Sequence, residues 1–260
     1  MVTGAGRGVG RAIAERLGSA GASVCLIARS RDEIQSAADA IEGRTTIRAL
    51  DVTDREAVEQ AFSDIGDELG PVSILVNNAG TLDAIGPFWE IDPDIWWREL
   101  EIHLRGTLLC SHAALTGMTS RGSGRVINVV GLLGQRGEPY STAYTSAKAA
   151  IYRLSECLSN ELADTGARVF CMSPGPVRTR MTQTLVDSDE GRRWLPEFSE
   201  LSEDQWVHPD RGAELAYRLA RGDADELSGR ALHVADDLDD LIARAQAVSS
   251  GDRLAMRIIP

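Results

Sequence analysis

The chain has 260 residues, with 39 Asp and Glu against 27 Lys and Arg and a formal net charge of −12. Charge of that sign repels phosphate backbones and anionic lipid, which excludes nucleic acid and a membrane surface as partners. No apolar run reaches the roughly 20 residues that cross a bilayer, and four histidines with four scattered cysteines form no metal or redox motif, which points to a cytoplasmic protein with reduced thiols and no bound metal.

In chain order, Met1-Val2 is what is present of a first apolar strand, and residues ahead of it are expected to complete that strand. The glycine-rich run Thr3-Gly-Ala-Gly-Arg-Gly-Val-Gly10 follows at once. It opens an amphipathic helix expected from Arg11 to Ala20, with Ile13, Ala14 and Leu17 on one face. Glycine permits unusual backbone angles and lets an anion approach the main chain, and a helix N-terminus offers that anion free N–H groups. Gly4, Gly8, Val9 and Gly10 are therefore expected to cradle the pyrophosphate of a dinucleotide, and Ser23 to Ala28 supplies the second buried strand that such a unit requires. At the end of that strand a carboxylate would accept the ribose hydroxyls of NAD, but the chain has Arg29 there. Arg29, with Arg7 inside the loop, suits a 2′-phosphate instead, so NADP(H) is expected in preference to NAD(H).

Helix and strand patterns then alternate: a helix from Asp32 to Ile41, a strand from Thr45 to Leu50, a helix from Arg55 to Leu69 and a strand from Val72 to Val76. A long helix is expected from Pro93 to Met118, a strand from Gly124 to Val130, a helix from Ala143 to Ala163 and a strand from Arg168 to Ser173. Tyr144 and Lys148 lie one turn apart on the last of these helices, so phenol and ammonium share a face. A neighbouring cation favours phenolate, and the pair is read as an acid/base unit in which Lys148 draws the phenol's pKa down. From 180 to 207 the strand pattern lapses and Trp194, Leu195, Phe198 and Leu201 alternate with charges. A helix from Asp210 to Ala220 and a strand from Gly229 to Val234 follow. The alternation predicts an α/β, Rossmann-like, doubly wound parallel sheet in a single domain over residues 1–235. Residues 236–260 form an extension, with an acidic helix from Asp236 to Val248 and a tail.

Five motifs in order make the chain resemble the short-chain dehydrogenase/reductase family, in its common subclass of about this length. They are the loop at Thr3 to Gly10, Asp51-Val52, Asn77-Asn-Ala-Gly80, Tyr144-x-x-x-Lys148 and Pro174-Gly-Pro-Val-Arg-Thr179. The resemblance implies that Asp51 meets the adenine amino group, that Val52 lines the adenine pocket, and that Asn77, Asn78, Ala79 and Gly80 support the sheet and the cofactor ribose. It implies that Val177 and Thr179 hold the nicotinamide carboxamide, beside Pro174 and Gly175, and that Lys148 binds the nicotinamide ribose. It also implies a small carbonyl or alcohol substrate, a lid over residues 180–207, and a homodimer or homotetramer built on the long helix and the Tyr144 helix.

Two positions depart from the family. Gly131 stands where the family has its catalytic serine, and His103 where it has an asparagine whose main-chain carbonyl serves the proton relay. Ser141, Thr142, a water or a donor on the substrate are the expected substitutes for the lost hydroxyl. Trp89, Trp96, Trp97, Leu133, Gln135 and Tyr140, with the lid aromatics, are expected around a roomy, largely apolar pocket. The leading reading is interconversion of a carbonyl and a secondary alcohol with NADP(H). Its rival is a protein that binds the nucleotide but performs non-redox chemistry or sensing, with His103 as an acid or base.

Overall fold

The computed structural model describes residues 1–250, 254 and 255, apart from the side chains at 132, 133, 249 and 250. Seven strands, β1 (Val2–Thr3), β2 (Val24–Ala28), β3 (Thr45–Ala49), β4 (Ile74–Asn77), β5 (Gly124–Val129), β6 (Ala167–Ser173) and β7 (Ala231–His233), form one sheet in the order β3-β2-β1-β4-β5-β6-β7. Every pairing is parallel. Parallel neighbours need crossovers, supplied by α1 (Gly8–Ser19), α2 (Arg31–Asp39), α3 (Arg55–Leu69), α4 (Pro93–Leu100), α5 (Gly106–Arg121), α6 (Thr142–Glu161) and, beyond three short helices described below, α10 (Pro209–Arg221). The strand order reverses between β1 and β4, and such a switch point opens a crevice at the carboxyl ends of the strands.

The inner strands are apolar on both faces because helices cover both. In β2, Val24 and Leu26 join the cluster built with Ile13 and Leu17 of α1 and Leu219 of α10. Cys25 and Ile27 point the other way, to Val58 and Ile65 of α3 and Met118 of α5. β1 has two residues yet pairs with both neighbours, Val2 opposite Leu26 and Val76 and Thr3 opposite Ile27. Those pairings place the glycine loop at the switch point.

Three elements differ from their predicted form. The long helix is interrupted: α4 ends at Leu100, a π-helical turn occupies Glu101–Arg105, and α5 runs on to Arg121. A π-turn holds one residue more than an α-turn and is invisible to a 3.6-residue pattern. The segment predicted as a lid is helical, with α7 (Arg180–Asp187), α8 (Asp189–Trp194) and α9 (Glu197–Glu200), the first two capped by Thr179 and Ser188. The acidic helix is divided into α11 (Leu238–Ala243) and α12 (Ala245–Ser250), and Leu238, Ala245 and Val248 pack into the same core as α1 and α10. Residues 251–253 and 256–260 of the predicted tail lie outside the described residues. Cys25, Cys110 and Cys171 are buried free thiols, whereas Cys157 sits on an outward face of α6 and is exposed.

Candidate active site

A cleft of about 750 Å³ runs from Ala28 and Arg29 past the glycine loop to Gly131, Tyr144 and Lys148. The loop is held from below. Thr3 Oγ1 accepts the amides of Asn78 (3.0 Å) and Ala79 (3.1 Å), while Asn78 Nδ2 donates to the carbonyls of Thr3 and Gly4, each at 3.1 Å. Gly4 and Gly8 have φ of 62° and 55° and line the cleft with Val9. Gly10 does not. A Cβ there would come within 2.3 Å of the Gly4 carbonyl oxygen, so Gly10 lets the helix pack on its own loop and stands behind the lining. Arg7 occupies the N-cap of α1 without capping it by a side-chain bond, which leaves the first-turn amides to an anion in the cleft. Asp51, Val52, Asn78, Ala79, Gly80, Pro174, Gly175, Val177 and Thr179 all line the same cleft. This length, with amides at its middle and an asparagine-fixed loop, fits a dinucleotide.

At the Arg29 end the sequence reading missed a carboxylate. Glu33 lines the cleft, accepts Arg7 Nη1 at 2.8 Å and lies 3.7 Å from Arg180 Nη1. The signal was Ser30-x-x-Glu33, a helix-start pattern that puts Glu33 in the first turn of α2, where Ser30 Oγ accepts its amide. Arg7 is thus partnered within the protein, and Arg29 lines the cleft as an exposed cation.

At the other end Lys148, the only lysine in a chain with 26 arginines, is buried and donates to the Val129 carbonyl at 2.9 Å. Its Nζ lies 5.4 Å from the Tyr144 ring centroid. Burial brings the lysine down to about 8, against which Cys171 and Glu99 act to raise it. Tyr144 corrects the expectation made for it: burial and then the negative charge of Glu99 push the phenol above its ordinary value, so it is protonated through the neutral range. The ammonium, turned to Val129, is not what sets the phenol here.

His103 lies in the π-helical turn, 1% exposed, with its ring T-shaped to Tyr144 at 5.2 Å. Its Nε2 is 2.6 Å from the Thr81 carbonyl oxygen and 3.2 Å from the Thr81 amide. The shorter contact assigns the proton to Nε2 and leaves Nδ1 an acceptor, buried and without a partner among the described residues. Burial and the Lys148 charge hold the imidazole well below its usual pKa, so it is neutral.

Gly131 lines the cleft, but a Cβ built there would stand 2.9 Å from the Tyr144 hydroxyl. A side chain at this position would require the Tyr144 hydroxyl to shift by a few tenths of an ångström. The expected substitutes are also placed elsewhere: Ser141 is fully buried beside Thr145, and Thr142 accepts Trp96 Nε1 at 3.0 Å. Neither lines the cleft. Trp89 and Trp97 are exposed and Gln135 donates to Tyr152, so these three stand apart from the cleft, whereas Tyr140, stacked on Trp194 at 4.7 Å, packs with the lid's Phe198 in the apolar cluster that holds Tyr144. The Leu133 side chain lies outside the described residues. The rest of that cluster is Leu82, Ile85, Met181, Leu185 and Leu195, so the apolar shell is contributed mostly by the lid helices and the segment that joins them.

A family model described as short chain dehydrogenase matches residues 1–190. A short chain dehydrogenase of Pseudocercospora fijiensis is 39% identical over 186 residues, covering 70% of this chain and 60% of that relative. The 3-oxoacyl-(acyl-carrier-protein) reductase FabG of Vibrio harveyi is 34% identical over 235 residues, 90% of this chain and 94% of its own. The crystal structure of a levodione reductase superposes with a TM-score of 0.81 at 26% identity, over 89% of this chain and 93% of that one.

Proposed function

The chain belongs to the short-chain dehydrogenase/reductase family, and from that premise we propose that it is an NADP(H)-dependent enzyme reducing the carbonyl of a small, largely apolar molecule to a secondary alcohol. The observation that carries this reading is the half-buried Tyr144 beside the buried Lys148 at the inner end of a cleft that begins with the glycine loop. When bound, a nicotinamide nucleotide supplies the hydride. Gly4, Gly8, Val9 and the α1 amides would hold its pyrophosphate, Asp51 and Val52 its adenine, and Val177 and Thr179 its carboxamide. Tyr144, kept protonated by burial, gives its proton to the carbonyl oxygen as the carbon accepts hydride. The O–H bond of the phenol breaks as that of the product forms, and Lys148 then returns a proton toward the phenolate. The apolar shell around Tyr144 excludes water and favours a substrate without charge.

Arg29, with Arg7 and Arg180 gathered around Glu33, supports NADP(H). Burial of three of the four thiols suits a reducing, cytoplasmic setting. No helix among the described residues is long and apolar enough to cross a membrane. The exposed apolar side chains of Ile95, Trp97 and Leu108 on α4 and α5 support a homo-oligomer.

The test is direct. Purified protein is titrated with NADPH and with NADH by the fluorescence of the bound reduced ring, then screened with ketones for loss of nicotinamide absorbance. Tighter NADPH binding and turnover of apolar ketones are expected. Binding without turnover across the panel would hand the chain to the non-redox reading.

A further inference from the structure

Glu99 is the first acid of the segment Arg98-Glu-Leu-Glu101 and has no place in the proposed reaction so far. It lies on α4, yet it is 1% exposed. Its Oε2 accepts the backbone amides of Asp83 at 2.6 Å and Ala84 at 2.9 Å, and its Oε1 is buried with no hydrogen-bond partner among the described residues. A buried carboxylate with one bare oxygen is unfavourable unless opposite charge is near. α4 is docked on α6 by the Trp96 to Thr142 hydrogen bond, and α6 carries the single lysine. The charged and titratable groups that act on Glu99 or feel its charge are Asp83 from the loop after β4 and Tyr144 and Lys148 from α6, while His103 of the π-helical turn stands against Tyr144.

We propose that Glu99 is a positioning residue for the Tyr144 and Lys148 pair, acting as the counter-charge of Lys148 and as the brace that holds Leu82 to Ala84 against Tyr144. This rests on the reading of that pair given above. The brace is visible in the contacts: Leu82, next to the amides that Glu99 holds, packs in the same cluster as the Tyr144 ring. The counter-charge follows from burial of both ions in one region with no other carboxylate buried as deeply among the described residues. The mutual effects agree. Burial pushes the Glu99 carboxyl up, the Ala84 and Asp83 amides and the Lys148 ammonium pull it back, and Glu99 in turn raises both Lys148 and Tyr144. A neutral His103 adds no rival charge.

The lone lysine makes the test independent of any substrate or cofactor. Biosynthetic labelling with ¹³Cε-lysine marks one residue, and its chemical shift is followed against pH in the nucleotide-free full chain. In wild type the midpoint is expected near 8. Glu99→Gln keeps a carbonyl oxygen for the two amides but removes the charge, and should lower the midpoint by about one unit. Glu99→Ala removes the acceptor as well and should also speed hydrogen exchange at the Asp83 and Ala84 amides about tenfold or more. Coincident lysine titrations in wild type and Glu99→Gln would overturn the counter-charge. Unchanged exchange in Glu99→Ala would overturn the brace. A protein that turns over no ketone but shows both effects loses the proposed reaction and keeps the role of Glu99.

Discussion

Lys148 illustrates how much a single residue's environment decides. The unfolded chain holds this proton up to its ordinary 10.5, and the folded chain only to about 8. Between those values the folded state binds fewer protons, so stability from this group rises with pH, and below 8 the burial of a full cation opposes folding. The difference amounts to at most about 3 kcal/mol, with about 1 kcal/mol offset by the bond to Val129 that a methionine cannot make. Lys148→Met is therefore expected to be more stable than wild type near pH 7, the gap closing between pH 8 and 10.5 in denaturant titrations. A gap that stays constant over that range contradicts the assignment. The spacing Tyr144-x-x-x-Lys148 made this pair legible in the sequence, but the direction of its perturbation was not, because spacing carries no information on burial. Glu99 was illegible for the same reason. In Asp94-Ile-Trp-Trp-Arg-Glu99 it reads as one more acid on a polar helix, and only the loop folded over it reveals two amides on one oxygen.

Among the elements, those with a strong local rule were the readable ones. α3 was predicted over the residues it occupies, because Asp54 caps its first turn and Gly70 with φ 88° ends it. The π-helical turn at Glu101–Arg105 has no such signature, and it is what brings His103 beneath Gly80 and against Tyr144. The lid helices are short, and the first two start at side-chain caps. Ser188 Oγ accepts the Gly191 amide at 3.0 Å at the start of α8, whose Trp194 then reaches Tyr140. Ser188→Ala removes about 1 kcal/mol from that turn alone. Hydrogen exchange over residues 189–195 is expected to quicken about fivefold while the global melting temperature stays nearly level. Melting of the whole domain to the same extent would show that the lid is not a separate unit of stability.

At the scale of the molecule, a net charge of −12 opposes close approach of two copies unless apolar area compensates. Ile95, Trp97 and Leu108 provide it on the helices expected to form a subunit contact. If the proposed homo-oligomer forms there, Trp97→Glu places like charges across the contact, and sedimentation velocity is expected to report a dimer or tetramer for wild type and a monomer for the variant. The same sedimentation coefficient for both would move the contact elsewhere. The doubly wound parallel sheet was foreseeable from alternating patterns, since the inner strands' composition records burial on two sides. The substrate end was less so: its walls come from segments distant in the chain, such as Leu82, Met181 and Leu195, which no single window brings together.

The arginine bias described at Lys148 has one further consequence. Every basic side chain on the folded surface is a guanidinium or an imidazole, and the one primary amine among the side chains is 5% exposed. Acylation, amine-directed cross-linking and enzymatic conjugation to lysine find no target on the outside of this protein. Reaction at Lys148 therefore reports entry of the reagent into the cleft.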